Sequence, residues 1–284
     1  MTHIPPDWLR PHWPAPAHVH ALCTTRNGGH SQPPYERMNL GDHVGDDPQA
    51  VAANRGVLQA ALQSATPQAR AVFLQQVHGM QVAVLEPGTA DGVVADACVS
   101  TQPGLACTVM VADCLPVLLT DCAGTVVAAA HAGWRGLAGL GGVGVLESVF
   151  EMFSALRRVH QAQAAIKNVA NEGVGACASQ TLAWLGPCIG PQAFEVGAEV
   201  QAAFCTHNPA AAQHFQPHGA GKYLADLAGL ARQRLQALGI TQIYGNDSSP
   251  GWCTVAQGSR FFSHRRDSAA LGGSGRMAAC IWLG

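Results

Sequence analysis

Short apolar runs that end at turn-forming residues predict β-strands along much of the chain. Gly, Pro, Asn and Asp bound these runs, which is the pattern of strands joined by turns. Asn27-Gly28-Gly29 and Asp121-Cys122-Ala123-Gly124 are two of the predicted turns. The predicted strands cover residues 19–25, 71–76, 81–85, 105–111, 117–121, 125–130, 182–185 and 278–283.

Three other stretches repeat apolar or small residues at the spacing of an α-helix. The first is predicted to begin with Asp47 as N-cap and Pro48 in the first turn. The third is predicted to end before Gly239, which takes the C′ position. The defining positions are Val51, Asn54, Leu58 and Leu62, then Val145, Val149, Phe153 and Leu156, and finally Leu224, Leu227, Ala231, Leu235 and Leu238.

Interleaved strands and helices, with no internal repeat and no long linker, favour one mixed α/β domain over residues 1–284. One segment does not fit the pattern. Residues 161–180 are rich in Ala, Asn and Gly and show only weak periodicity. We predict that this segment is an exposed insertion that the chemistry does not need.

Composition narrows the class of protein. With 48% hydrophobic residues, the chain can bury a sizeable core, and a formal net charge of −2 favours no nucleic-acid partner. The apolar runs are too short to predict a membrane span. Neither a secretory signal nor a regular cysteine framework is evident, so the ten cysteines predict reduced thiols in a cytoplasmic protein. Nothing in the composition indicates an obligatory protein partner.

Three short blocks carry the candidate chemistry. They are Gln75-Gln76-Val77-His78-Gly79, Ala112-Asp113-Cys114-Leu115-Pro116 and His131-Ala132-Gly133-Trp134-Arg135-Gly136. Two imidazoles and one thiolate would give a zinc ion three protein ligands and leave its fourth position open, as in catalytic zinc sites. The same residues could instead form a nucleophilic thiolate–imidazole pair.

The residues alone leave these two interpretations open. His78, Cys114 and His131 are widely spaced and match no zinc-finger or His-Glu-x-x-His pattern. Asp113 should point away from Cys114 because side chains alternate along a strand, which predicts a supporting carboxylate rather than a ligand. Trp134 is a candidate wall of the site.

The same blocks, together with others in the same order along the chain, resemble the YfiH-like, laccase-domain family. That family is also described as polyphenol oxidases or purine nucleoside phosphorylases. The resemblance includes Thr24-Thr25-Arg26-Asn27-Gly28-Gly29 and the pair Asn54-Arg55. The other matching stretches are 39–47, 76–79, 95–97, 112–117, 131–136, 184–191, 194–197 and 261–267.

The resemblance implies an α/β sandwich similar to that of cysteine hydrolases, with zinc held by His78, Cys114 and His131 as the catalytic residues. It implies phosphorolysis of adenosine, inosine, guanosine and methylthioadenosine, and deamination of adenosine. Purine nucleosides and phosphate would then be the ligands. Arg26 is the first candidate for binding the phosphate and Arg55 is the second.

Two alternatives remain. In a cysteine-type amidohydrolase that edits cell-wall precursors, Cys114 would be the nucleophile and His131 the base. A copper-dependent polyphenol oxidase is disfavoured, because multicopper oxidases need several His-x-His pairs. The sequence shows such a pair only in the N-terminal stretch, at His18-Val19-His20.

Overall fold

A computed structural model describes residues 4–165 and 174–284. Within these ranges the chain forms a mixed α/β structure in which strands supply most of the core. The strands are β1 Val19–Cys23, β2 Arg70–Gln75, β3 Val82–Val84, β4 Val93–Val94, β5 Ala97–Ser100, β6 Leu105–Val111, β7 Leu115–Asp121, β8 Val127–Ala132, β9 Thr181–Leu185, β10 Glu195–Gly197, β11 Phe215–Pro217, β12 Lys222–Ala225, β13 Gln242–Gly245 and β14 Met277–Leu283.

Seven α-helices lie in the described part of the chain, and a π-helical turn spans His264–Ser268. None of the described helices combines the length and the apolar character that crossing a membrane requires. The helices are α1 Pro48–Ala65, α2 Trp134–Ala138, α3 Val145–Ala165, α4 Val174–Ser179, α5 Ala198–Cys205, α6 Leu227–Ala237 and α7 Ala269–Leu271.

Two mixed sheets pack face to face between outer helices. The first has the strand order β1-β14-β6-β2-β4, and the second has the order β13-β9-β7-β8-β5-β3. Helix α1 packs on the outer face of the first sheet, while α3 and α6 cover the outer face of the second. A small sheet, β10-β12-β11, lies beside them. The predicted α/β sandwich is therefore confirmed.

The central strands are apolar on both faces because both faces are covered. On β7, Leu118 packs into the core between the two sheets, whereas Val117 and Leu119 pack toward the helices. On β14, Ile281 faces the other sheet and Trp282 faces α1. Because of this alternation, the continuous apolar strands contribute to three packed interfaces. One lies between the two sheets, and the others lie between each sheet and its outer helices.

The predicted elements are largely present, with shifts at their ends. Helix α1 begins as expected, and the Asp47 side chain accepts a hydrogen bond of 2.9 Å from the Gln49 N–H. Helix α6 begins only at Leu227, because Asp226 caps it and accepts a hydrogen bond from the Gly229 N–H. Leu224 therefore belongs to β12 rather than to the helix.

The segment 161–180 differs from the prediction of exposure. Helix α3 continues to Ala165, and α4 occupies the C-terminal part of the segment. Cys177 and Ala178 are buried in the core beneath the second sheet, so the segment is not exposed at its C-terminal end. Residues 166–173 lie outside the described residues. The idea that the segment is an insertion stays a prediction.

Asn54 joins α1 to the segment that precedes it. Its Oδ1 accepts a hydrogen bond of 2.7 Å from the His30 N–H. Its Nδ2 group donates to the Ser31 hydroxyl and to the carbonyls of Arg37 and Asn39. Because Asn54 is fully buried, water cannot replace these hydrogen bonds if the side chain is removed.

We therefore expect Asn54→Ala to lower the free energy of unfolding by about 2–3 kcal/mol, since buried donors and acceptors lose their partners. Gln63→Ala, on the exposed side of the same helix, should change it by less than about 0.5 kcal/mol. Urea unfolding measures both values. Equal effects of the two substitutions would show that the buried amide does not stabilise this segment.

Candidate metal centre

Strand register brings three site residues to one edge of the second sheet. Strands β7 and β8 are antiparallel and pair Leu115 with Ala132, so Cys114 lies just beyond the paired end of β8. Strand β5 pairs with the other side of β8, and the His131 N–H donates to the Asp96 carbonyl at 2.7 Å. Asp96 and Cys114, which immediately precede β5 and β7, therefore lie beside His131 of β8 at one edge of the sheet.

The predicted strand 125–130 would leave His131 on the loop that follows it, but the structure places His131 inside a strand. It lies within β8, is buried, and pairs with Pro116 across the ladder. The predicted strand 125–130 was placed two residues too early, because the turn signal at Asp121 continues through Thr125, whose N–H donates to the Asp121 carboxylate. The strand fixes the imidazole on a rigid element.

His78 reaches the same place from the loop between β2 and β3. Gln76 anchors the loop to β6, because its side chain donates to the Met110 carbonyl and accepts from the Met110 N–H. His78 itself adopts a left-handed backbone with φ of 60°. Such a conformation is unfavourable for a non-glycine residue and needs support from its surroundings.

Asp96 supplies that support. Its carboxylate accepts hydrogen bonds from the backbone N–H groups of Val77, His78 and Gly79, at 3.1, 2.9 and 2.6 Å. The same carboxylate contacts Nδ1 of His131 at 2.8 Å. One buried side chain therefore positions two of the three candidate ligands.

The three candidate ligand atoms converge. Cys114 Sγ lies 3.8 Å from His78 Nε2, and one donor atom of each of His78, Cys114 and His131 lies within 4.8 Å of the others. The imidazole rings of His78 and His131 meet edge to face, with centroids 4.8 Å apart. His131 is buried, Cys114 is half-buried and His78 is exposed, so the group opens toward solvent on one side.

Gly133 leaves space for this convergence. A Cβ atom at Gly133 would lie 2.9 Å from Cys114 Sγ and 3.0 Å from His78 Cδ2. A Cβ atom at Gly136 would lie 2.7 Å from the Gly79 carbonyl oxygen. These glycines allow the turn after β8 to approach the His78 loop closely.

Electrostatics favour a thiolate beside an imidazolium. Burial alone would raise the pKa of Cys114, but the charge of His131 and the interactions with both imidazoles outweigh it and lower the pKa to about 6. Burial would likewise lower the pKa of His131, but Cys114 and Asp96 outweigh it and raise the pKa to about 9. The site therefore stabilises the anionic form of sulfur that metals and electrophiles require.

The donor set fits a zinc ion. Zinc prefers thiolate and imidazole ligands, and tetrahedral geometry separates such S and N donors by about 3.6 Å. The hydrogen bond with Asp96 favours the proton on Nδ1 of His131 and leaves Nε2 for a metal, an arrangement common in metalloproteins. With three donors from the chain, one coordination position would remain for water or substrate.

A cavity of about 450 Å³ adjoins the candidate ligands. Its apolar side includes Met110, Ile189, Phe194 and Leu227, together with Trp134, as the sequence analysis expected. Its polar side is formed by Gln76, His43, His264, Arg265 and Arg276. Asp113 supports this side rather than binding a metal, since it accepts hydrogen bonds from Thr254 Oγ1 and the Arg265 N–H.

The structure does not bring Arg26 or Arg55 to the cavity wall. The Arg26 guanidinium donates to the carbonyls of Glu36 and Gly258 and lies over the Phe262 ring. Arg55 donates to the Leu40 carbonyl and pairs with Asp42 at 3.1 Å. Both arginines therefore hold protein segments together, and their predicted contact with phosphate gains no support from this arrangement.

Several site residues escaped the sequence analysis. Asp96 lies within a matching block, but no role was assigned to it. The signal available in the sequence was a single carboxylate between two alanines, in Ala95-Asp96-Ala97. These residues are buried, and a buried charge requires partners. Gln76 and Arg265 also lie within matching stretches, whereas Arg276 lies outside them, and none of the three was assigned a role.

Fold and site together define a mixed α/β sandwich with a His–Cys–His centre in a partly cationic cavity. The family model described as multi-copper polyphenol oxidoreductase laccase matches residues 20–284. The chain belongs to this YfiH-like, laccase-domain family.

Similarity to individual proteins extends over nearly the whole chain. A purine nucleoside phosphorylase of Pseudomonas aeruginosa is 44% identical, and the alignment covers 97% of this chain and 98% of that protein. The Escherichia coli purine nucleoside phosphorylase YfiH is 46% identical, with coverage of 96% and 97%. A crystal structure from Neisseria meningitidis has a TM-score of 0.75 and 43% identity, and covers 98% of this chain and 99% of that one. The names of the relatives support an enzyme of this family.

We expect Asp96→Asn to weaken zinc binding about 10- to 100-fold, because an amide cannot accept from four donors as a carboxylate does. Competition with a chromogenic chelator measures the zinc dissociation constant. Asp247→Asn, at an exposed position, is the matched control and should bind zinc like the wild type. Equal zinc affinity in both variants would refute the positioning role of Asp96.

We expect Gly133→Ala to weaken zinc binding at least about tenfold, because the added methyl group would displace Cys114 Sγ or His78 from its position. Gly251→Ala is the control, since a Cβ atom there meets nothing within 4 Å. The same chelator competition compares the two proteins. Unchanged affinity in Gly133→Ala would mean that the ligands do not need this close approach.

Proposed function

We propose that this protein is a zinc-dependent purine nucleoside enzyme. It would catalyse phosphorolysis of adenosine, inosine, guanosine and methylthioadenosine, and deamination of adenosine. The observation that carries the proposal is the convergence of His78, Cys114 and His131 at a cavity with an apolar side and a cationic side. Two similar proteins named purine nucleoside phosphorylase add support.

The cavity offers what these reactions need. Apolar side chains such as Phe194, Ile189 and Leu227 can receive a purine ring, and few polar groups suffice to orient it. In phosphorolysis a phosphate oxygen forms a bond to C1′ of the ribose while the C1′–N bond breaks and the purine accepts a proton. In deamination, water adds at C6 and ammonia leaves.

A bound zinc ion would supply Lewis-acid activation and lower the pKa of water toward neutrality. His78, Cys114 and His131 would hold the ion, and Asp96 would keep His78 and His131 oriented. His131 is hydrogen-bonded through Nδ1, so its ring cannot rotate without losing this contact. The metal would thus be held at a fixed place beside the cavity.

A cysteine-type amidohydrolase is the second candidate. Cys114 Sγ lies 3.8 Å from His78 Nε2, and His131 lowers the pKa of the thiol. A thiolate beside an imidazolium is the arrangement of cysteine nucleophiles. In that case Cys114 would form a thioester with the acyl group of an amide substrate, and an amine would leave after accepting a proton.

The copper oxidase alternative has less support. The described residues contain one group of three potential metal ligands, formed by His78, Cys114 and His131. Reduction of oxygen to water by multicopper oxidases needs a cluster of several copper ions, and each ion requires its own ligands. The donor set of this group, with a thiolate and two imidazoles, also suits zinc.

Removal and return of the metal tests the proposed function. We expect about one zinc per wild-type chain by elemental analysis and much less in Cys114→Ala. Chelation should abolish inosine phosphorolysis and adenosine deamination, and zinc should restore both activities. The control Cys122→Ala, which alters an exposed thiol, should retain zinc and both activities.

Other outcomes favour the alternatives. Equal zinc in wild type and Cys114→Ala would refute the ligand assignment. Full activity on an amide substrate in metal-free protein, with an acyl group trapped on Cys114 and detected by mass spectrometry, would establish the amidohydrolase instead. Oxygen-dependent oxidation of phenols that returns only with copper would favour the oxidase.

A further inference from the structure

The cationic side of the cavity is built from the stretch before β14 and from the loop before α1. Arg276 precedes β14, Arg265 lies in the π-helical turn His264–Ser268, and His43 lies in the segment that leads to α1. All three line the same cavity as the candidate metal ligands. We propose that Arg276 and Arg265 form the binding site for inorganic phosphate. This inference rests on the proposed function and deepens it.

Arg276 is held in place by only part of its hydrogen-bonding capacity. Its Nη1 group donates to the carbonyls of Ser274 and Gly275, at 2.8 and 3.1 Å, and its backbone N–H donates to Asn39 Oδ1. Within the described part of the chain, its Nε and Nη2 groups have no hydrogen-bond partner, and they are not sealed from solvent. A guanidinium offers such groups as a planar fork that matches phosphate oxygens.

A neighbouring glycine makes room for the stem of Arg276. A Cβ atom at Gly41 would lie 2.8 Å from Arg276 Cγ and 3.2 Å from its Cβ. The Gly41 N–H also donates to Asn39 Oδ1, which accepts from the Arg276 N–H as well. The loop before α1 thus fixes where the guanidinium enters the cavity.

Arg265 lies in the π-helical turn that precedes Arg276 along the chain, and it lines the same cavity. Its backbone N–H donates to Asp113 Oδ2 at 2.6 Å, and its Nη2 group donates to the Glu195 carbonyl at 3.1 Å. Asp113 immediately precedes the candidate ligand Cys114. The turn that carries Arg265 is therefore fixed directly to the metal centre.

The balance of charge favours an anion. Asp113 is the one carboxylate that lines the cavity in the described ranges, and both of its oxygens accept hydrogen bonds from protein groups. Outside the lining, Asp42 lies 3.5 Å from His43 and also pairs with Arg55. The Cys114 thiolate also lines the cavity, but a bound zinc ion would more than neutralise it, and Arg265 and Arg276 add two permanent positive charges to the cavity wall. A phosphate between them would stand beside the nucleoside that the apolar side receives.

Arg276 and Arg265 reach the cavity, whereas the two arginines chosen from the sequence, Arg26 and Arg55, do not. Arg26 donates to two carbonyls and stacks on Phe262, and Arg55 stacks on Phe73 with its guanidinium carbon 4.1 Å from the ring centre. Those contacts hold the protein together.

Calorimetric titration of orthophosphate into the zinc-loaded protein tests the inference. We expect Arg276→Gln and Arg265→Gln each to raise the phosphate dissociation constant at least about tenfold, the loss expected for one charged hydrogen-bonding partner. Arg158→Gln, on the exposed side of α3, is the matched control and should bind like the wild type. Arg276→Lys keeps the charge and should fall between wild type and Arg276→Gln.

A second titration distinguishes free orthophosphate from a phosphate ester as the bound group. Inosine 5′-monophosphate is titrated in parallel, because a phosphate ester carries the same oxyanion chemistry. Tighter binding of orthophosphate supports the proposal. Binding of the nucleotide alone would overturn it, as would equal orthophosphate affinity in wild type, Arg276→Gln and Arg265→Gln. Loss of binding in Arg55→Gln with no loss in the two cavity variants would also overturn it.

The titration needs no turnover, so it separates this inference from the proposed function. Phosphate binding that depends on Arg276 without any phosphorolysis would leave the inference standing and contradict the proposed function. Phosphorolysis with an unchanged phosphate KM in both cavity variants would contradict the inference and leave the proposed function standing. Circular dichroism and zinc content check that each variant is folded. Arg265 is exposed, so its substitution remains informative if Arg276→Gln does not fold.

Discussion

The carboxylate of Asp96 is the contact on which the rest of the site depends. It joins the backbone of the His78 loop to the imidazole of His131. The loop follows β2, which belongs to the first sheet, whereas His131 lies on β8 of the second. Because the group is buried, losing any one of its partners would leave a charge poorly compensated. The same feature that stabilises the sandwich edge therefore orients the candidate metal ligands.

The site gains rigidity from the strands around it. Strands β7 and β8 are buried on both faces, so the positions of Cys114 and His131 follow from the packing of the whole sandwich. The His78 loop is less constrained by packing. Its position depends on the hydrogen bonds to Asp96 and on those between the Gln76 side chain and the Met110 backbone. His131 within a buried strand, Cys114 directly before another, and His78 on a loop held by hydrogen bonds make a preorganised site that remains open toward the cavity.

The family model and the curated relatives carry different functional names, and the geometry helps to relate them. A description as a multi-copper laccase applies to the family model, while the similar proteins are named purine nucleoside phosphorylases. Within the described residues, the one group of thiolate and imidazole donors beside the cavity suits a single metal ion better than a copper cluster. Function here follows from the site rather than from the fold.

The sequence by itself determined the features that local physics controls. Asp47 and Pro48 predicted the start of α1, and apolar runs predicted the strands. Glycine-bounded blocks indicated His78, Cys114 and His131 as candidate ligands. Only the tertiary structure decided which groups meet. Asp96 contacts His131 because of the register of β5 and β8, and Arg265 and Arg276 line the same cavity as the candidate metal ligands, which lie far from them in sequence. Side-chain partners across strands depend on register and sheet packing, which no short stretch of sequence encodes. For that reason Arg26 and Arg55, chosen from their motifs, turned out to contact protein groups away from the cavity wall.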